Sequence, residues 1–258
     1  MTELALITGA SSGIGRAFAE RLAADGYDLI VVARRRERLD ALAAQLPTNV
    51  EVATADLATD EGIDAAAGLC AARPLTMLVN NAGVAHYMPL AQLPAAKARE
   101  LVSVKVLAPT LLTRAALPGM LERGHGTVLN VAGMIAFGGP AAAMPGSGRA
   151  VYTNTLAGAV AMTQTLNTEL AGTGVGAHVV CPGIVATEFH EVQGMDLSAL
   201  PRMAPADVVT AALAGIRLGE VVSAPGVEDY GLLERVFAAD IAAFGGQGPA
   251  LASRYKTA

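Results

Sequence analysis

Three glycines at the end of one strand are the first residues in this chain whose types and spacing could do chemistry. Thr8-Gly9-Ala10-Ser11-Ser12-Gly13-Ile14-Gly15 follows the apolar run Leu4-Ala5-Leu6-Ile7 and opens a helical pattern near Ile14. A strand, a glycine turn and a helix start together make an anion site. Glycine lets backbone approach a phosphate closely, and the free N–H groups and dipole at a helix N-terminus favour negative charge. The spacing G-x-x-x-G-x-G differs from the commoner G-x-G-x-x-G, so the string by itself also fits a plain structural turn. Lysine is a second chemical signal: it occurs only at 97, 105 and 256, in a chain that otherwise uses arginine. Cys70 and Cys181 lie far apart without metal-type spacing. They predict free thiols, no metal site and a reducing, cytoplasmic setting.

The elements that must position these residues can be read from periodicity. With 53% hydrophobic residues over 258 positions, the chain can bury a sizeable core in one large α/β domain or two small ones. Apolar runs predict strands at Leu4–Ile7, Asp28–Ala33, Val50–Ala55, Leu75–Val79, Gly126–Val131, Val175–Cys181 and Glu220–Ala224. Between them, helical spacing runs from Ile14 to Gly26, Leu39 to Leu46, Glu61 to Ala72, Ala95 to Leu121, Val151 to Ala171 and Pro205 to Leu218. Residues 133–149 read as a loop, 187–204 as a long connection, and the tail from Gly245 as loose. Strands alternating with helices imply an α/β fold with a doubly wound parallel sheet, Rossmann-type, in a single domain over 1–258. Ligands then bind beyond the C-terminal strand ends.

Composition excludes other classes. The net charge is -5 and the only basic run is Arg34-Arg35-Arg36, so nucleic acid is not an expected partner. The longest uncharged segments, 124–148 and 150–168, carry Pro, Gly, Thr, Asn and Gln, which suits buried elements and not membrane spans. The first residues enter a strand directly, leaving no room for a signal peptide.

Four signals fall at predicted strand ends: the glycine turn, Asp56-Leu57, Asn80-Asn81-Ala82-Gly83, and Pro182-Gly183-Ile184-Val185-Ala186-Thr187. In that order and at those separations the chain resembles the short-chain dehydrogenase/reductase family, from Leu4 to about Ala224. The resemblance implies that Gly9, Ser11, Ser12, Gly13, Ile14 and Gly15 cradle a cofactor pyrophosphate. It places Asp56 and Leu57 at the adenine, Asn81, Ala82 and Gly83 on the adenine ribose side, and Pro182, Gly183, Val185 and Thr187 along the nicotinamide. Charge argues for the particular dinucleotide: an acid some twenty residues past the glycines suits NAD, whereas arginine suits the 2′-phosphate of NADP. Here Arg34 and Arg35 stand there, and Arg16 follows Gly15 directly, so the cofactor expected is NADP(H). The same arginines would also serve as a solvated first helical turn.

By resemblance the catalytic group is Ser, Tyr and Lys, with an Asn from the long helix before. Tyr152 stands at the Tyr position and also beside the cofactor, but the Lys position four residues on is Leu156. Asn130-Val131-Ala132-Gly133 lacks the serine, and Val104-Lys105-Val106 puts a lysine at the Asn position. Lys105 is therefore read as replacing the missing ammonium beside Tyr152, or else as a lysine that merely snorkels at a helix edge. Pro109 cannot donate to the Lys105 carbonyl, which supports a special backbone there. Ser147 or His86 could supply a hydroxyl or imidazole donor, with a turn residue and a pocket-lining histidine as their plainer readings. Phe189, His190, Met195, Leu197 and Met203 make 187–204 a candidate apolar lid over a hydrophobic small-molecule substrate. The helix from Val151, poor in charge on every face, suggests a homodimer or homotetramer interface. The activity implied is hydride transfer between nicotinamide and a carbonyl/alcohol or imine/amine pair. A non-redox isomerase or lyase, or a catalytically silent NADPH-binding regulator, are the alternatives.

Overall fold

The computed structural model describes residues 3–141 and 148–256. Seven strands form one parallel sheet in the order β3-β2-β1-β4-β5-β6-β7. They are β1 (Leu4–Thr8), β2 (Asp28–Ala33), β3 (Val50–Thr54), β4 (Met77–Asn80), β5 (Gly126–Val131), β6 (Val175–Val180) and β7 (Val222–Ser223). Strands buried on both faces must be apolar at successive positions, as Leu6, Ile7, Ile30, Val31, Leu78 and Val79 are. Alternate residues serve opposite faces. Ile7, Val31, Val79 and Leu129 pack with Phe18 and Leu22 of α1 (Gly13–Ala24) and with Val208 and Ala212 of α8 (Pro205–Leu218). Pro205 stands in the first turn of α8, where its fixed φ suits a helix and no donor is lost.

The remaining helices of this unit are α2 (Arg36–Ala43), α3 (Asp60–Ala72), α4 (Ala95–Val102), α5 (Ala108–Arg123), α6 (Ala150–Glu169) and the short α7 (Phe189–Val192). Between α4 and α5 the backbone widens into a π turn, Ser103–Leu107, where the sequence predicts an unbroken helix. Pro109 lies just beyond it and lacks the N–H that ordinary α bonding would use. Lys105 sits inside that turn. The whole stretch Ala95–Arg123 is long and apolar enough to cross a bilayer by length and composition. It is nevertheless a layer of the domain, with α5 packed on α3, β4 and β5.

The α/β unit ends at Pro225, and a second compact unit begins at Gly226. The latter holds α9 (Gly231–Gly245) and a 3-10 turn, Ser253–Tyr255. Helix α9 was not anticipated, although Leu233, Phe237, Ile241 and Phe244 stand at helical spacing. Within the predicted loop 133–149, Met134–Phe137 forms a 3-10 turn, and Ser147 lies outside the described residues.

A buried polar ladder fixes the helices that carry the site. Asn80 Nδ2 donates to Asn130 Oδ1 at 2.9 Å and to Thr113 Oγ1 at 3.2 Å, while Asn130 Nδ2 donates to Thr163 Oγ1 at 2.9 Å. The Thr163 hydroxyl in turn donates to the Ala159 carbonyl. One amide per strand thus ties β4 and β5 to α5 on one side and α6 on the other. Replacing Asn130 by Ala strands buried donors and acceptors on both neighbours. It should lower stability by about 2–3 kcal/mol, read from the urea unfolding midpoint.

Candidate active site

The strand order reverses between β1 and β4, and the candidate site lies at their C-terminal ends. There the Thr8 hydroxyl accepts from the backbone N–H groups of Asn81 and Ala82, both at 3.0 Å. Asn81 Nδ2 returns a bond to the Thr8 carbonyl at 2.9 Å. The glycine turn and the Asn80–Gly83 turn are therefore one unit. Space between them leaves no room for side chains: a Cβ on Gly15 would come within 2.4 Å of Asn81 Nδ2 and the Gly9 carbonyl. Gly9 and Gly13 have φ of +69° and +56°, which disfavour any L side chain. Helix α1 begins here without a side-chain cap and without an acid in its first turn, so its N–H groups are available to an anion. Thr187 lies against Gly13. Asp56 closes its own turn, accepting from Ala58 N–H at 3.0 Å, and Leu57 is buried behind it.

A charge cluster flanks this cradle. Arg35 donates to the Ser11 hydroxyl at 3.0 Å and to that of Ser12 at 3.0 Å. It also pairs with Glu188 at 2.7 Å, and Arg38 meets the same carboxylate at 2.8 Å. Arg38, then Arg35 and Ser12, hold the Glu188 carboxyl down at about 2. Two of the predicted arginines take other positions. Arg34 is exposed, and Arg16 is occupied on the surface by Glu20 at 2.7 Å and Gln45 at 3.1 Å. Arg35 is the predicted arginine that reaches the turn. Arg38 and Glu188 were missed because a pairing across 150 residues has no local signature.

Around Tyr152 the structure brings distant segments together. Tyr152 is buried on the first turn of α6, and Thr155, one turn on, spends its hydroxyl on the Tyr152 carbonyl at 2.8 Å. A Cβ on Gly133 would stand 3.5 Å from the Leu156 side chain, so those two positions face each other without a hydroxyl or a charge. The Lys105 ammonium lies 5.8 Å from the centre of the Tyr152 ring. It also lies against Gly83, where a Cβ would approach it to 2.8 Å. His86 directs its Nε2 to Glu100 of α4 at 2.8 Å, so that nitrogen is committed there. The neighbouring Tyr87, unremarked in the sequence, packs edge-on against Tyr152 with ring centres 5.4 Å apart. It also stacks with His190 of α7, ring centres 6.4 Å apart. The aromatic type of residue 87 was visible; its direction was not.

Burial dominates the electrostatics. It holds the Tyr152 phenol well above its ordinary value, with the proximity of Tyr87 adding to the effect. Burial also pushes the Lys105 ammonium down to about 8. By resemblance the family's lysine lowers the tyrosine, and Lys105 in that role is expected to do the same. Even at ~4 Å, in an effective dielectric of ~20, such an attraction amounts to about 4 kcal/mol. Desolvation of a fully buried group moves its pKa by up to about 3–5 units, or about 4–7 kcal/mol, so it wins. Tyr152 is consequently a protonated phenol and Lys105 a cation over most of the neutral range. The two cysteines are free and buried, their thiols pushed up to about 12, and take no part.

A parallel sheet with a glycine-lined anion cradle at its switch point defines a nucleotide-binding protein of Rossmann type. Its family is then settled by comparison: residues 3–197 match the short chain dehydrogenase family, and the chain belongs to it. That membership makes it an NAD(P)-dependent oxidoreductase. It is 36% identical over 198 residues to sulfoacetaldehyde reductase 2 of Chromohalobacter salexigens, covering 75% of this chain and 77% of that protein. Among solved structures it is similar to a short-chain dehydrogenase from Sphingobium yanoikuyae in complex with NADPH, with TM-score 0.92 and 32% identity over 98% of this chain and 100% of that one. It is also similar to the bulky-bulky ketone specific alcohol dehydrogenase from Comamonas testosteroni, with TM-score 0.87 and 27% identity over 99% of both chains.

Lys105 makes stability depend on pH in a definite sense. Its folded pKa of about 8 lies below the free value of 10.5, so between these values the unfolded chain binds more protons. Stability from this group should climb from pH 8 to 10.5, with the full penalty of burying the charge present below 8. Lys105→Met should abolish that climb, as followed by urea midpoints across the range.

Proposed function

We propose that the protein is an NADP(H)-dependent oxidoreductase acting on a carbonyl/alcohol or imine/amine pair, with a rearranged active site in which Tyr152 is the acid-base and Lys105 its cationic partner. The observation that carries this reading is the seat of the Lys105 ammonium, between Gly83 and the face of the Tyr152 ring. Leu156 and Gly133 provide neither the ammonium nor the hydroxyl expected of the family, and Lys105 restores the charge from the neighbouring helix.

The Gly9–Gly15 turn and the N-terminus of α1 would hold the pyrophosphate, with Asn81, Ala82, Gly83, Tyr152, Pro182, Gly183, Val185 and Thr187 along the rest of the dinucleotide and Asp56 and Leu57 at the adenine. Fit is supported by the side-chain-free cradle and by Glu188, a carboxylate already seated on Ser12, Arg35 and Arg38 where an anion is welcome. Arg35 would take the 2′-phosphate, and the NADPH bound by the Sphingobium enzyme agrees with that choice. When bound, the nicotinamide supplies a hydride to the substrate carbon. Tyr152 supplies the proton to the substrate oxygen and recovers it from solvent. A phenol held protonated by burial suits the reductive direction. Tyr87, Phe189 and His190 give the site aromatic walls, which supports a hydrophobic carbonyl substrate and a lid role for 187–204. The ketone preference in the Comamonas enzyme's name points the same way.

Assembly as a homodimer or homotetramer is part of the proposal, supported by the exposed Val102 at the end of α4 and Val106 and Leu107 in the π turn that follows. So is a cytoplasmic location, supported by two free cysteines. One second reading, a catalytically silent NADPH-binding regulator, is favoured by Gly133 and Leu156, which offer neither hydroxyl nor ammonium where the family carries them.

NADPH fluorescence titration followed by oxidation against ketones, imines and enones separates the two readings. Binding without oxidation by any compound sinks the enzyme. Lys105→Ala should abolish turnover while leaving NADPH binding largely intact; unchanged turnover would remove Lys105 from the mechanism. Arg35→Ala should weaken NADPH binding by about 10–100-fold, the loss of a charge-assisted contact. NADH binding should hardly change, and equal losses for both would move the 2′-phosphate elsewhere.

A further inference from the structure

Reduction of a carbonyl concentrates negative charge on one oxygen, which is best met by two donors fixed in place beforehand. Tyr152 is the donor that gives up its proton, and so cannot also be the one that remains. Its described polar neighbours are mostly committed: Thr155 to the Tyr152 carbonyl, and His86 to Glu100. Lys105 lies at the ring face and over Gly83, and Gly133 and Leu156 have nothing to donate.

We propose that Tyr87 is a second catalytic hydroxyl, donating a hydrogen bond to the substrate oxygen that Tyr152 protonates. This rests on the reductase reading above. Tyr87 follows the Asn80–Gly83 turn, and its ring meets Tyr152 edge-on and stacks with His190. A side chain packed in this way costs little entropy to orient. The two rings are in direct edge-on contact, and each phenol perturbs the ionisation of the other. With the rings 5.4 Å apart, a carbonyl oxygen entering between them takes, on this proposal, one hydrogen bond from each phenol. Burial keeps Tyr87 protonated above its ordinary value, so it is a donor throughout the neutral range. No proton leaves Tyr87 in the cycle; it contributes a hydrogen bond only.

Tyr87→Phe tests this, since it keeps the ring that packs on Tyr152 and His190 and removes the hydroxyl alone. The expected kcat loss is about 10²-fold, as for removal of one oxyanion donor. KM and NADPH affinity should change by less than about threefold, the pattern of a bond made in the transition state. Two readouts do not depend on turnover. The carbonyl stretch of an isotope-labelled aryl ketone, held in a ternary complex with NADP+, should shift back toward its unbound frequency in the variant. In the cofactor-free protein, ultraviolet titration should show Tyr152 ionising at lower pH once Tyr87 no longer opposes it. A variant with unchanged kcat and unchanged stretch overturns the proposal, as does a loss confined to KM. If the wild type oxidises NADPH with no carbonyl compound, the reductase reading falls and Tyr87 with it. If only the variant comparison fails, the reductase reading stands.

Discussion

The hydroxyl of Thr8 joins the two halves of the sheet where they part. β1 continues to β2 on one side, β4 to β5 on the other, and a crevice must open at the strand ends where the chain changes direction. Thr8 meets the N–H groups of Asn81 and Ala82 across that crevice, and Asn81 bonds back to its carbonyl. Both turns become a single rigid floor, with glycines at 9 and 15 because Asn81 fills the space that a side chain would need. Everything placed on the floor, from α1 to Lys105 over Gly83, takes its position from this bond.

A second constraint is the cost of burying charge. Tyr152 is buried and the Lys105 ammonium lies beside its ring, and there desolvation raises the phenol and lowers the ammonium more than their attraction opposes it. The pair is thus poised as an acid beside a moderately reluctant cation. The Asn80–Asn130 ladder keeps α5 and α6 at the spacing this needs, because each helix offers one threonine hydroxyl to the strands.

The arginines beside the anion cradle already hold a carboxylate. Glu188, next to Thr187 at the start of the long connection, reaches Arg35 and Arg38 and is held strongly acidic by them. These pairs are partly exposed, so each is worth little as stability. Their importance is positional: they bring residues 187 and 188 to the arginines beside the glycine turn, so that the connection and the cradle are coupled through charge.

Nearly all the strands, the helices between them and the turns at their ends were legible in the sequence. Two-sided burial writes itself as continuous apolar runs, and turns need glycine, proline or asparagine at particular places. Even the π turn left a trace in Pro109. The approach of Lys105 to Tyr152 could be anticipated only through a family resemblance, since nothing local relates residues on two helices. Arg35 rather than Arg34, the Glu188 clasp, His86 turned to Glu100 and Tyr87 against Tyr152 were decided by tertiary structure alone. Side-chain direction depends on which surfaces the packed core leaves open, and that is a property of distant segments meeting. The sequence by itself determined a parallel, nucleotide-binding sheet and the residue types at its strand ends; only the fold decided which side chains face one another.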